Sequence, residues 1–170
     1  MAISRKVLTK EQALSRLTSL CGRSEQCEYE VIKKMKGWGL SPTHIKDVLD
    51  YLKENRFVDD VRYARSYIND KARFSSWGPY KIKLELIKRR IPSKIIDPAL
   101  KEVDPSIWKE AVLKCGRNKS RSLDLRGEEG YENSRKLYSY LISRGFSSAL
   151  SSKVVRLMQK EQEEKDESLD

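Results

Sequence analysis

The chain has 170 residues, 38% hydrophobic and 35% charged, with 35 Lys and Arg against 25 Asp and Glu for a formal charge of +10. This composition excludes a chain disordered throughout, and no apolar run approaches the ~20 residues of a membrane-spanning helix. The basic excess suits a phosphate backbone or an acidic protein surface, and the lean apolar content suits thin helical layers.

The first stretch, MAISRKVLTKEQ, has a charged start and no apolar segment behind it. Residues 1–8 therefore read as a short extension, not a secretory signal. Helical periodicity follows. Ala13, Leu14, Leu17 and Leu20 share one face and predict a helix over 9–21, with a second over 25–37. In SPTHI, Ser41 is an N-cap and Pro42 a first helical residue, opening a helix over 42–54 with Ile45, Val48, Leu49 and Leu52 on one side. Asp59 and Asp60 favour the positive end of the next helix, 59–74, which carries Val61, Ala64, Ile68 and Ala72. Pro79 opens 79–90, followed by 93–102. Asp104 and Pro105 open 105–118, and helices over 131–144 and 148–163 complete the set. Gly37, Gly39, Gly116 and Gly145 stand where helices should stop. No strand is predicted, since no run alternates strictly.

These helices repeat. Met35, Leu86 and Leu141 align, as do Leu40, Ile91 and Phe146, and Leu49, Leu100 and Val155, at offsets of 51 and 55 residues. Apolar positions matching at a nearly fixed offset predict stacked three-helix units over 9–54, 55–103 and 104–159. The expected fold is all-α, three tandem helix–turn–helix-like repeats in an elongated, curved array. The longer second offset is absorbed by a polar surface loop, 120–130. The acidic tail 160–170 reads as a solvated, frayed end, or as a competitor for the basic face.

Cys21, Cys27 and Cys115 make an odd set without a framework, which indicates reduced thiols in a cytoplasmic protein. His44 has no Cys or His at ligand spacing, so neither a metal nor another cofactor is expected. No Gly-rich phosphate loop or nucleophile arrangement is present, which argues against an enzyme. Cys115, near Lys114 and Arg117, reads as a buried, inert thiol.

The segments FVDDVRYA (57–64), WGPYKIKLELIKRRI (77–91) and SRGFSS (143–148) resemble the RecX family, bacterial regulators of the RecA recombinase. Phe57, Asp59, Asp60, Tyr63, Ala64, Gly78, Pro79, Ile82, Leu86, Gly145, Phe146 and Ser147 carry the resemblance. Arg90 departs from it, because the family has Gly before the apolar residue of that turn. The resemblance implies a non-catalytic monomer that binds RecA and the RecA filament on single-stranded DNA, inhibits recombinase, ATPase and co-protease activity, and contacts DNA directly. No membrane partner is implied.

Cations with interleaved aromatics are what a polyanion requires, because each cation near a phosphate releases condensed counterions. The candidates are Arg65, Lys71, Arg73, Lys81, Lys83, Lys88, Arg89 and Arg90 in the middle repeat, with Trp77 among them, and Arg135, Lys136 and Arg144 in the third. If 79–90 is one helix, Lys83 and Arg90 share a side. Tyr63 and Phe57 read as core, while Trp77 stands between core and contact residue. Two other functions fit the same charges, a stand-alone helical DNA-binding module and a structural adaptor.

Overall fold

The computed structural model describes residues 7–167; residues 1–6 of the expected extension and 168–170 of the tail lie outside them. The described residues are helical and contain no strand. The helices are α1 (Lys10–Cys21), α2 (Glu28–Gly37), α3 (Pro42–Glu54), α4 (Asp60–Arg73), α5 (Pro79–Lys88), α6 (Ser93–Lys101), α7 (Pro105–Ser120), α8 (Gly130–Ser143) and α9 (Ser148–Glu167).

Side chains set most of the starts. Thr9 and Gln12 exchange hydrogen bonds in a capping box before α1. Ser41 accepts from the His44 N–H and Asp104 from the Ser106 N–H, each ahead of a proline at the first helical position. Asp59 Oδ1 accepts from the N–H groups of Val61 and Arg62, both at 3.0 Å, so it caps α4 as its position suggested. Those bonds, the Arg62 N–H foremost, hold its carboxyl below the usual range. Asp60 acts further away. Cys27 offers α2 no side-chain cap, and Asp60 Oδ1 accepts the Glu28 N–H at 2.9 Å instead. Burial, opposed by that bond, pushes the Asp60 carboxyl up.

One helix end is built at three aligned places, and once more after α3, where Phe57 donates to the Leu52 carbonyl at 2.8 Å behind left-handed Arg56. Leu40 donates to the Met35 carbonyl, Ile91 to Leu86 and Phe146 to Leu141, at 3.2, 3.1 and 3.3 Å. The residue before each donor is left-handed: Gly39 at φ 78°, Arg90 at 58° and Gly145 at 92°. This is a Schellman-type stop, which needs a left-handed residue one step past the helix. The same alignment that matched the apolar residues in sequence matches these backbone bonds. The turn at Arg90 therefore keeps its geometry despite the missing glycine.

The helices form two compact units. One comprises the described residues up to Ser66 together with Leu86–Ile96, and the other comprises Tyr67–Glu85 together with the residues from Asp97 onward. In the first, α1 and α2 each pack on α3, and Ala13, Leu17, Val31, Met35, Val48 and Leu52 are buried at the centre. In the second, α7, α8 and α9 pack pairwise around Val112, Leu137, Leu141, Val154 and Met158. Burying each Leu or Met side chain contributes about 1.5–3 kcal/mol. Tyr63 is buried and Phe57 packs against the first core, as expected.

Three expectations need correction. Gly116 does not stop a helix; it lies inside α7, where a Cβ would stand 2.6 Å from Val154 Cγ1, so close packing on α9 requires it. The stretch 120–130 is not simply polar surface, because Leu125 is buried in the second core. Residues 160–167 do not fray. They extend α9, and Gln162 ties the loop down: its amide oxygen accepts from the Leu125 N–H, and its Nε2 donates to the carbonyls of Ser120 and Leu123.

Candidate nucleic-acid interface

The segment after α4 is shaped by backbone bonds. Trp77 donates to the Lys71 carbonyl at 3.1 Å, folding the chain back onto the end of α4. Gly78 donates to the Arg144 carbonyl at 2.7 Å, and Tyr80 to the Gly145 carbonyl at 3.1 Å. The start of α5 is thereby pressed against the α8–α9 turn. Only glycine fits at the contact. A Cβ on Gly78 would lie 2.3 Å from the Gly145 oxygen, and one on Gly145 would lie 2.4 Å from the Lys81 nitrogen. Arg144 completes the clamp with an Nη2 bond to the Ser75 carbonyl.

This clamp gathers charge around one indole. Trp77 is half-buried. Lys81 Nζ lies 4.6 Å from its ring centroid, Lys71 Nζ 5.0 Å and the Arg144 guanidinium carbon 6.0 Å. Lys71 also approaches Tyr67, at 5.4 Å. Arg144 lies 5.9 Å from the Tyr140 ring and Lys119 Nζ 5.5 Å from it. Among the described residues, no carboxylate pairs with Lys71, Lys81, Lys119 or Arg144. Each cation–π contact contributes about 0.5–1 kcal/mol at an exposed site, too little to neutralise the charge. Arg144 Nε is buried and has no hydrogen-bond partner. The result is a cationic, aromatic surface poised for an anion. Beside it, burial raises the pKa of the Cys115 thiol and of the Tyr140 hydroxyl. The cations that oppose the Cys115 shift are Arg144 and Lys81, not the sequence neighbours Lys114 and Arg117.

Lys71, Trp77, Lys81 and Arg144 are thus brought together, while the other expected site residues go elsewhere. Lys83 pairs with Asp97 at 2.6 Å, and Arg89 with Glu30 at 3.1 Å. Arg135 meets Glu132 at 3.4 Å, and Lys136 donates to Asn133 Oδ1. Arg65 and Lys88 also have partners within the protein. Arg73 is exposed in the last turn of α4 and helps hold the Asp104 carboxyl down, after the Ser106 bonds. Arg90 does not share a helix side with Lys83, because α5 ends at Lys88 and Arg90 sits in the left-handed turn beyond it. Its guanidinium carbon lies 5.3 Å from the Tyr29 ring centroid.

Sequence reasoning missed Tyr140 and Lys119. Tyr140 of α8 precedes Arg144, the cap at the end of that helix, by four residues, a spacing that marks one helix face. Lys119 carried no signal, since only folding brings α7 beside Tyr140. Among the described residues, no cluster of His, Cys, Asp or Glu could hold a metal, and the three cysteines are free. No described helix is long and apolar enough to cross a membrane.

Residues 59–100 match the family description "RecX, second three-helix domain". The regulatory protein RecX of Clostridium beijerinckii is 31% identical over 147 residues, which cover 86% of this chain and 66% of that protein. The chain thus spans slightly less than two thirds of that relative's length. The regulatory protein RecX of Prosthecochloris aestuarii is 30% identical over 138 residues, covering 81% of this chain and 87% of that protein. The crystal structure of RecX from Lactobacillus salivarius matches the fold with a TM-score of 0.72 at 19% identity, over 88% of this chain and 96% of that one. With an all-helical fold and a relative matched over most of its length, the chain belongs to the RecX family of regulatory proteins.

Proposed function

We propose that this protein binds RecA and its filament on single-stranded DNA and lowers the filament's ATPase, recombinase and co-protease activities, without chemistry of its own. The reading rests on one observation above the others: Lys71, Lys81 and Arg144 surround Trp77 with no carboxylate to balance them. A filament on DNA offers phosphates for the cations and unstacked bases for the ring. Regulation by occupancy requires only a surface that matches the filament, so a non-catalytic protein suffices.

The test is RecA ATPase on single-stranded DNA with increasing amounts of this protein. Inhibition below one molecule per RecA is expected, and excess free DNA should not relieve it. The Lys71→Glu/Lys81→Glu variant should inhibit about tenfold less well, since each phosphate left without its cation weakens binding. Inhibition relieved in full by free DNA would instead identify a stand-alone DNA-binding module. No effect on ATPase at any ratio would reject the regulatory reading.

A further inference from the structure

In the first unit, α2 and the turn after α5 border a half-open cavity of about 370 Å³ whose lining includes Glu28, Tyr29, Lys33, Lys36, Asp60 and Arg90. Small-ligand sites span roughly 300–1,000 Å³. None of these residues belongs to the cluster around Trp77.

Arg90 is the feature that needs explaining. The aligned turns carry Gly39 and Gly145, yet here an arginine is held at φ 58°, as Arg56 is at 56° after α3 and Ser76 at 49° after α4. Side chains tolerate that conformation poorly, and of the three such residues Arg90 is the one that lines this cavity. The strained residue places its guanidinium over the Tyr29 ring, on the rim of this cavity. Lys33 and Lys36 follow Tyr29 by one and two turns of α2 and are both exposed. Among the described residues, no carboxylate pairs with Lys33, Lys36 or Arg90. Two further charges of the cavity lining are already paired, Arg89 with Glu30 and Glu28 with Lys53.

The cavity also holds an acceptor. Asp60 is half-buried, and its Oδ1 is fixed by the Glu28 N–H. A carboxylate inside a cationic cavity repels an acidic peptide, whose side chains only accept. It suits a ligand that is anionic at one end and donates hydrogen bonds at the other. We propose that this cavity is a binding site for a nucleoside phosphate, with Lys33 and Lys36 taking the phosphate, the Tyr29–Arg90 pair the base, and Asp60 a hydroxyl or amino donor. The same chemistry is offered by a free nucleotide and by the 5′ end of a strand.

Isothermal titration calorimetry on the full chain tests this with ADP, adenosine and inorganic phosphate. ADP should bind at least about tenfold more tightly than either part, because both ends are recognised. Arg90→Gly, which relieves the turn while removing the guanidinium, should weaken ADP about tenfold and leave the helical circular dichroism intact. Lys33→Glu/Lys36→Glu should abolish ADP binding. Displacement of ADP by a 5′-phosphorylated trinucleotide would assign the site to a strand end, and failure to displace would assign it to free nucleotide. ADP binding no tighter than inorganic phosphate overturns the proposal. So does full-strength binding by Arg90→Gly, or capture of an oligoglutamate peptide in place of ADP. Lys71→Glu/Lys81→Glu should bind ADP normally, so loss of filament inhibition and loss of this site are separable.

Discussion

Arg90 and Gly78 show how one side chain, or its absence, decides a local structure. At Arg90 the backbone is left-handed, which disfavours a residue with a Cβ by about 1 kcal/mol. Replacement by glycine removes that strain. It also adds about 0.5–1 kcal/mol of backbone entropy to be lost on folding, and removes the contact with Tyr29, another ~0.5–1 kcal/mol. The effects nearly cancel, so Arg90→Gly should move the thermal midpoint by less than about 4 °C. Gly78 is different. Its Cβ would fall 2.3 Å from a backbone oxygen, which no rotamer can relieve. Gly78→Ala should lower unfolding free energy in urea by about 1–3 kcal/mol. The sequence marked both positions, Gly78 through the family resemblance and Arg90 as a departure from it. It could not reveal what either touches. The oxygen facing Gly78 belongs to Gly145, and the ring facing Arg90 belongs to Tyr29, both distant along the chain.

Most helix starts were legible because their causes are local; that of α2, capped from Asp60, was not. A cap and the N–H that donates to it lie within three residues of each other at Thr9, Ser41 and Asp104. The far end of α9 was illegible for the opposite reason. Its run of charges reads as a solvated tail, yet Gln162 reaches backbone groups 37–42 residues away. Glu161 meets Arg117 at 2.8 Å, and Asp166 meets Arg126 at 2.7 Å. The bond from Arg117 holds the Glu161 carboxyl below its usual range. These exposed pairs are worth little individually, so Gln162 carries most of the attachment. Gln162→Ala should cost about 1–3 kcal/mol through the groups left unsatisfied. Hydrogen exchange should accelerate at Leu125, whose N–H loses its acceptor, while the α8 core stays protected.

For the molecule as a whole, composition sets a charge of +10 and a middle segment crowded with cations, but not which cations are available. Lys88, Arg89 and Arg90 stand consecutively in the sequence as candidate cations. The fold pairs Arg89 with Glu30, 59 residues earlier, and lays Arg90 over Tyr29. Trp77, Lys71 and Lys81 are candidates of equal standing, and the fold leaves them as an unbalanced cluster once Arg144 arrives from the end of α8. Net charge is a property of composition, whereas available charge depends on long-range pairing. The all-helical architecture was legible in the sequence because it depends on periodicity and repetition.

The most direct test of the central claim is the salt dependence of binding to a RecA filament on single-stranded DNA, measured for the native chain and for Lys71→Glu/Lys81→Glu. If the two lysines neutralise phosphates, the slope of log Kobs against log salt should become shallower by roughly 1.4 in the variant, about 0.7 for each phosphate no longer neutralised. An unchanged slope with unchanged affinity would contradict that claim and remove the surface around Trp77 from the interface.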